Sequence, residues 1–294
     1  MRSADDRIAA LPIWRARIEI EPLHGGLSNE SYKVNCAGET FVVRFGRDFP
    51  FHHVSREREI MNARAAHAAG LAPEVVHATP GVLVSRFIEG RTYGEEDLRN
   101  NIARVADLAQ RFHQTMAKHV SGPGFMFWPF HVVRDYARTL AAGNSRMTSR
   151  LPDFLGLADE LEQAQIPLPI VYGHNDMLPA NFIDDGAHLW LIDFEYAGFS
   201  TAMFDLAGIA SNAGFSADDT SALLGIYFGR APDQALKRAH AAMQCASLLR
   251  EAMWSMVSEL YLDAPGADYV AYTGDNLARL DAALIHYRTS FAEA

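Results

Sequence analysis

Apolar and polar residues alternate along the first 87 residues in a pattern that predicts a β-sheet. Residues 16–23, 31–36 and 40–46 alternate with a period of two, and a short AGE turn joins the last two segments. Residues 75–77 and 82–87 predict two more strands around the sequence ATPG. Residues 55–69 have helical spacing that stops at Gly70. We therefore expect five strands and one helix in this part of the chain.

The remaining two thirds of the chain is mainly helical in pattern. Apolar residues recur at helical spacing within residues 96–119, at Leu98, Ile102, Val105, Leu108, Phe112 and Met116. Further helices are predicted over residues 134–142, 153–165, 216–229, 232–262 and 268–289. The strand pattern ends at Ile88, Glu89 and Gly90. We expect an α+β protein of two lobes, residues 1–87 and 88–294.

Residues 170–198, IVYGHNDMLPANFIDDGAHLWLIDFEYAG, carry the chemistry. Two strand-like runs, IVYG and HLWLI, are each followed by polar side chains: His174, Asp176 and Asn181 after the first, Asp193 and Glu195 after the second. Mg²⁺ prefers oxygen ligands and needs only one or two carboxylates when substrate phosphates complete its shell. Each residue alone could be an ordinary turn residue. The joint spacing favours phosphoryl transfer from a nucleotide, with Asp176 as the acid that receives a hydroxyl proton.

His174 is the second catalytic candidate, because an imidazole titrates near neutral pH. It precedes Asp176 by two residues. We favour a structural role, in which His174 holds the loop by hydrogen bonds while Asp176 acts as the base.

Two further segments are candidates for binding nucleotide phosphates. The turn GGLSNES contains Gly25, Gly26, Ser28 and Asn29 between two predicted strands. Alone it favours an ordinary hairpin turn, but its place before the sheet favours a phosphate-binding loop.

Arg44 lies mid-strand in FVVRFG, on the face opposite Val43 and Phe45. It could grip phosphate oxygens. Glu59 is the carboxylate that we expect to orient it, and Glu57 is the rival.

Composition restricts the partners. The chain has 294 residues, 49% of them hydrophobic and 21% charged, with a formal net charge of −10. An acidic chain without a basic run is a poor candidate for nucleic acid or anionic lipid. Two cysteines, Cys36 and Cys245, predict neither a disulfide framework nor a zinc site. Without a signal peptide or an apolar stretch of ~20 residues, we expect a cytoplasmic protein, with the choice between monomer and homodimer left open.

The chain resembles the choline/ethanolamine kinase family, within the aminoglycoside phosphotransferase-like group of protein-kinase-like folds. The similarity rests on GGLSNESY, VVRFG, GLAPEVV after Glu59, HNDMLPAN and IDFEYAGFSTAMFDLA, and it extends over nearly the whole chain. It implies a bilobal fold, with a small β-rich lobe and a larger helical lobe, and ATP and Mg²⁺ as cofactors. Asp205 follows Asp193 by only 12 positions, which leaves no room for an activation segment that docks protein substrates.

The resemblance also implies roles for individual residues. Asp176 would be the catalytic base, and Asp205 would brace its loop. The metal ligands would be Asn181 and Asp193, with Glu195 near a second ion or the acceptor. The ATP phosphates would meet Ser28, Asn29 and Arg44, and the adenine edge would meet the backbone of Arg86 and Ile88.

The acceptor pocket is expected to use aromatic faces, which attract a quaternary amine by cation–π interaction. Candidates are Tyr196, Trp254 and Tyr272. In the family, two tryptophans three positions apart often serve here, and this chain has Glu251 in place of the first. For Trp254, simple packing in the helical core is an equal alternative.

The sequence therefore predicts an ATP- and Mg-dependent kinase of a small amino alcohol, choline or ethanolamine. One alternative is a kinase of another small alcohol, such as thiamine, an aminoglycoside, a sugar or a lipopolysaccharide precursor. The other is a nucleotide-binding regulator without catalytic activity, which the intact set of Asp176, Asn181 and Asp193 disfavours.

Overall fold

The computed structural model describes residues 3–23, 29–262 and 266–291. Its N-terminal part contains a five-stranded antiparallel sheet, in the order β1-β2-β3-β5-β4. The strands are β1 (Ile18–Leu23), β2 (Glu30–Cys36), β3 (Glu39–Phe45), β4 (Val75–Thr79) and β5 (Val82–Arg86). Helix α1 (Ala4–Ala9) precedes the sheet, and helix α2 (Arg56–Ala68) lies between β3 and β4. The five predicted strands are confirmed, but α1 is a second helix that the apolar pattern did not predict.

Alternation along β3 explains how the sheet acquires its two faces. Phe41, Val43 and Phe45 are buried together with Val34 and Val84 of the neighbouring strands. Because successive side chains point to opposite faces, Arg44 lies on the other face, which was predicted. Strand β3 is also central in the sheet.

Helices with short strands make up the rest of the chain. The first elements are β6 (Arg91–Thr92), α3 (Glu95–Asn100), α4 (Ile102–Thr115), α5 (Pro129–Ala142) and α6 (Leu151–Gln163). Four short strands follow, β7 (Ile170–Gly173), β8 (Phe182–Asp184), β9 (Leu189–Leu191) and β10 (Gly198–Thr201). The last elements are α7 (Ala202–Asn212), α8 (Ala217–Phe228), α9 (Gln234–Tyr261) and α10 (Tyr269–Phe291). Strands β7 and β10 pair with each other, and β6, β8 and β9 form a small sheet.

The predicted helix over residues 96–119 is two helices. Asn101, with φ −126° and ψ 31°, leaves the helical region between α3 and α4. Its side chain donates to the carbonyl of Asp97 at 2.8 Å, in the manner by which asparagine competes with the helix backbone. Apolar spacing alone continues through this break, so it did not reveal it.

The long helix α9 runs through the main core, where it packs against α5, α6, α7 and α10. A second core cluster joins α4, α7 and α8 to the short strands that carry the polar segment. The polar loops of residues 170–198 therefore lie next to strands that are packed into the apolar core.

No helix in the described ranges is both long and apolar enough to cross a membrane. Cys36 and Cys245 are buried and not joined in a disulfide. The predicted boundary after residue 87 falls between β5 and β6, which belong to different sheets, and this division stays a prediction.

Candidate active site

The loop after β7 is held from behind by Asp205 on α7. Its carboxylate accepts hydrogen bonds from the backbone amides of His174 and Asn175, at 2.8 and 2.7 Å, and from His113 Nε2 at 2.8 Å. Asn175 has φ 61°, a left-handed conformation that costs energy for a residue with a side chain. Its Nδ2 donates to the carbonyls of Tyr196 and Gly198 at 3.1 and 3.3 Å. These bonds fix the loop that presents Asp176, and Asp205 has the bracing position that the resemblance implied.

His174 is enclosed beneath the loop. Its side chain is wholly buried between the rings of Phe112 and Phe194, and Nε2 donates to the carbonyl of Ile192 at 3.0 Å. Burial lowers the pKa of His174, so the imidazole is neutral. This geometry suits the structural role that we favoured, because an enclosed ring cannot reach a substrate.

Asp176 is half-buried and lies next to Asn181. The Asn181 amide nitrogen donates to the Asp176 carbonyl at 2.8 Å and to Asp176 Oδ2 at 3.3 Å. Burial raises the pKa of Asp176 well above its ordinary value; the Arg250 guanidinium opposes this shift, while the nearby carboxylate of Asp193 adds to it. A carboxyl group with a raised pKa is better suited to accept a proton than an ordinary aspartate.

Arg44 joins the sheet to the segment after β9. It forms ion pairs with Glu59 and, at 2.8 Å, with Asp193 Oδ1. Of the two glutamates considered for orienting Arg44, the structure therefore selects Glu59, whereas Glu57 is exposed. Burial alone would raise the pKa of Asp193, but Arg44 outweighs burial and holds the pKa of that carboxyl below its usual range. Asp193 thus presents a charged oxygen at the cleft between the sheet and the helices.

Arg56, at the start of α2, is a member of this cluster that sequence analysis missed. Its Nη1 donates to Glu59 Oε2 at 2.6 Å and to Glu195 Oε2 at 2.9 Å, and its Nε donates to the Arg47 carbonyl. The spacing of three between Arg56 and Glu59 was the available signal, since such residues are neighbours on one helix face. Arg56 Nη2 is buried and has no hydrogen-bond partner among the described residues.

The donor set fits a magnesium ion. Because the Asn181 nitrogen is engaged by Asp176, its amide oxygen is the atom left for a ligand, and Asp193 adds a carboxylate that is 28% exposed. The described residues contain no group of three or more His, Cys, Asp or Glu side chains arranged to hold a metal by themselves. Glu195 is turned toward Arg56 and Asn29 instead, and burial with the Asp193 charge raises the pKa of Glu195.

The predicted nucleotide-binding residues are divided between the described residues and the rest of the chain. Gly25, Gly26 and Ser28 lie outside the described residues. Asn29 reaches Glu195 Oε2 at 3.5 Å. The amide of Arg86 donates to the Glu74 carbonyl at 2.9 Å, and its side chain pairs with Glu39. The Arg86 amide is therefore engaged within the protein, and Ile88 lies in the connection between β5 and β6. Contact of this backbone with adenine stays a prediction.

A narrow cleft lies against Asp176, between the loop after β7 and helices α7, α9 and α10. Its lining includes Arg250, Glu251, Tyr272 and Arg279. Two of these four were predicted as acceptor residues. They are joined to each other, because the Tyr272 hydroxyl donates to Glu251 Oε1 at 2.8 Å.

The other predicted acceptor residues, Tyr196 and Trp254, are buried behind the cleft at 6% and 8% exposure. Trp254 Nε1 donates to the Tyr196 hydroxyl at 3.0 Å. The Tyr196 ring is covered by the Arg250 guanidinium, 4.7 Å from its centroid. The cation on this aromatic face is thus a residue of the chain itself, and Arg250 was not anticipated from the sequence.

Comparisons with known proteins identify the family of this chain. The family model described as "Phosphotransferase enzyme family" matches residues 19–244. "Protein LicA" of Haemophilus influenzae is 25% identical over 269 residues, which are 88% of this chain and 77% of that protein. "Probable ethanolamine kinase" of Arabidopsis thaliana is 27% identical over 223 residues, 68% of this chain and 58% of that protein.

Solved structures of similar fold include a choline/ethanolamine kinase family protein from Mesorhizobium loti. It is 28% identical, with a TM-score of 0.78, and the match covers 96% of this chain and 93% of that one. The choline kinase LicA from Streptococcus pneumoniae shares the fold at 19% identity, with a TM-score of 0.74 and coverage of 95% and 97%. The resemblance inferred from the motifs and the protein-kinase-like α+β fold are confirmed. Because the family model spans more than half of the chain, this protein belongs to the phosphotransferase enzyme family.

Proposed function

We propose that this protein is an ATP- and Mg-dependent phosphotransferase that phosphorylates the hydroxyl group of a small alcohol. The observation that carries the proposal is the position of Asp176. It is hydrogen-bonded to Asn181 on one side, and on the other it lines the cleft formed with α7, α9 and α10. A base between a metal-ligand pair and an acceptor cleft is the arrangement that phosphoryl transfer to a hydroxyl requires.

In this proposal each residue has a limited task. Asp176 accepts the hydroxyl proton, and Asn181 and Asp193 hold the metal. When bound, Mg²⁺ neutralises negative charge on the nucleotide phosphates. Arg44 and Arg56 keep Glu59 and the residues after β9 in place and contribute positive charge beside them. Positioning supplies most of the rate, since the transferred group needs little covalent help.

Choline and ethanolamine are the first acceptors to test, because the relatives' names refer to them. The second candidate is another small alcohol, and one observation favours it: Arg250 already covers the Tyr196 face on which a quaternary amine would bind. A regulator without catalytic activity is disfavoured, because Asp176, Asn181 and Asp193 are all present and close together.

The first test is ADP release with ATP, Mg²⁺ and a panel of alcohols, for the native protein and for Asp176→Ala. Removal of a positioned base lowers turnover by about 10²- to 10⁴-fold, while Mg·ATP binding measured by calorimetry is retained. Asp218→Ala, an exposed aspartate in the first turn of α8, is the matched control and keeps full activity. Near-normal turnover by Asp176→Ala would show that the base is assigned wrongly.

The metal assignment has its own test. Asp193→Ala removes a charged oxygen, so the gain in ATP affinity on adding Mg²⁺ is expected to disappear. Calorimetric titrations with and without Mg²⁺ measure it. If the magnesium-dependent part of binding is unchanged, the Asp193 assignment is wrong.

A further inference from the structure

Arg250 is a buried charged residue that lines the proposed acceptor cleft. It lies on α9, is only 4% exposed, and lines the cleft together with Asp176. Its Nη1 pairs with Glu251 Oε2 at 2.7 Å. Its Nε and Nη2 are buried and have no hydrogen-bond partner among the described residues. Arginine stays charged in proteins, and although Glu251 pairs with one end of this guanidinium, the donors of its other edge are buried without an acceptor.

The two unpaired atoms are geometrically related. Nε and Nη2 are the donors along one edge of the guanidinium plane, and such an edge matches the two oxygens of a carboxylate or phosphate. The ring face of Tyr196 lies 4.7 Å away and Phe127 5.6 Å away, so aromatic rings support the guanidinium. The low polarity of this surrounding strengthens the attraction for an anion.

The carboxylate beside Arg250 is already paired within the protein. Glu251 accepts from Arg250 with one oxygen and from the Tyr272 hydroxyl with the other. An ammonium group bound at Glu251 would therefore also face the positive charge of Arg250. Arg279 lines the same cleft and adds a second positive charge.

Building on the proposed phosphotransferase function, we propose that the acceptor alcohol carries an anionic oxygen group, a carboxylate or a phosphate, which binds the Nε and Nη2 edge of Arg250. Arg250 is then the residue that selects the acceptor, while Asp176 faces the reacting hydroxyl. The proton of that hydroxyl passes to Asp176 as its oxygen takes the phosphoryl group from ATP, and ADP leaves.

The test uses matched pairs of acceptors that differ by one anionic group. L-Serine is ethanolamine with a carboxylate on the amine-bearing carbon, D-glycerate is the acid corresponding to glycerol, and glycerol 1-phosphate carries the phosphate. Choline represents the purely cationic class. The values of kcat/KM are compared by ADP release at saturating Mg·ATP. We expect at least one anionic member to exceed its uncharged or cationic match by about tenfold or more, as for charge-assisted bidentate bonds.

Variants separate recognition from folding. Arg250→Met is expected to erase the preference for the anionic member, chiefly through KM, and Arg250→Lys to retain part of it. Arg146→Met is the control. Arg146 Nε pairs at 3.0 Å with Glu259, which lies on α9 as Arg250 does, but Arg146 does not line the cleft. Thermal unfolding and Mg·ATP affinity confirm that each variant is folded.

Three results would overturn the proposal: higher kcat/KM for choline or ethanolamine than for the anionic members, an acceptor preference unchanged in Arg250→Met, or no turnover of any anionic member at about 10 mM while Mg·ATP still binds. A protein that does not bind Mg·ATP at all would instead contradict the proposed function itself.

Discussion

The carboxylate of Asp205 accepts a hydrogen bond from the backbone amide of Asn175 at 2.7 Å. Asn175 has a positive φ, and it immediately precedes Asp176. Helix α7 therefore determines where the proposed base stands, although no side chain of α7 needs to take part in the reaction. A short loop in an unfavourable conformation is stable only when such surrounding contacts maintain it.

Asp205→Asn is expected to destabilise the protein by about 2 kcal/mol, because an amide group offers one acceptor where two backbone amides and His113 now donate. Turnover should fall at least about tenfold, since the loop that carries Asp176 loses its support. Denaturant unfolding and ADP release measure the two effects. Asp218→Asn, at an exposed position, should change stability by less than about 0.5 kcal/mol. Full activity of Asp205→Asn would contradict the bracing role.

Gly173 provides a second test of the same loop. A Cβ atom at this position would lie 2.7 Å from Asn175 Oδ1 and 3.2 Å from Asp205 Oδ2. Gly173→Ala should therefore shift Asn175, lower turnover and cost about 1–3 kcal/mol of stability.

Gly156→Ala is the matched control for this substitution. Nothing lies within 4 Å of a Cβ at position 156. Because alanine favours an exposed helix over glycine, Gly156→Ala should raise the free energy of unfolding by about 0.5–1 kcal/mol. Equal effects of the two substitutions on turnover and unfolding would show that the loop tolerates a side chain.

Glu59 and Glu57 make a matched pair on one helix. Glu59 is 2% exposed and is bound by both Arg44 and Arg56. Glu59→Gln leaves two largely buried guanidinium groups without their shared carboxylate, and should cost about 3 kcal/mol. Glu57→Gln, at an exposed site, should change stability by less than about 0.5 kcal/mol. Urea unfolding measures the stability of both variants. Equal unfolding midpoints would show that Glu59 does not stabilise the protein through Arg44 and Arg56.

His52 predicts how stability depends on pH. Burial, with Arg250 nearby, lowers the pKa of His52 to about 3, from the ordinary histidine value of 6.5 that applies in the unfolded chain. Below pH about 6.5 the unfolded chain binds a proton at His52 that the folded chain does not bind. The contribution of neutral His52 to the free energy of unfolding is therefore present at neutral pH and is lost as pH falls. At pH 5 the loss from His52 is up to about 2 kcal/mol.

The substitution His52→Gln should make the decline in stability between pH 7 and pH 5 shallower, because glutamine does not titrate. His131→Gln, on the exposed side of α5, should leave the slope as it is. Unfolding midpoints measured at both pH values give the slopes. An identical slope in the native protein and His52→Gln would rule out this origin of acid sensitivity.

The alternation of apolar and polar residues and the spacing of the polar motifs were enough to predict much of the fold and part of the site. They predicted the five strands, with Arg44 opposite the buried face of β3, and the grouping of Asp176, Asn181 and Asp193 around two strand ends. Local patterns suffice for the strands because alternation reflects burial on one face of a sheet. They suffice for Asp176 and Asn181 because both lie in the one connection between β7 and β8. The motifs were also enough to identify the family.

Tertiary structure decided the residues that act through distant partners. The pairing of Arg56 with Glu195 joins positions 139 residues apart, and that of Arg44 with Asp193 joins positions 149 apart. The stacking of Arg250 over Tyr196 brings α9 against the segment after β9. Sequence spacing carries no information about such contacts, because packing of whole helices and sheets brings the side chains together. For the same reason, only the folded chain reveals that a cation of the protein itself, Arg250, lies at the cleft beside Asp176.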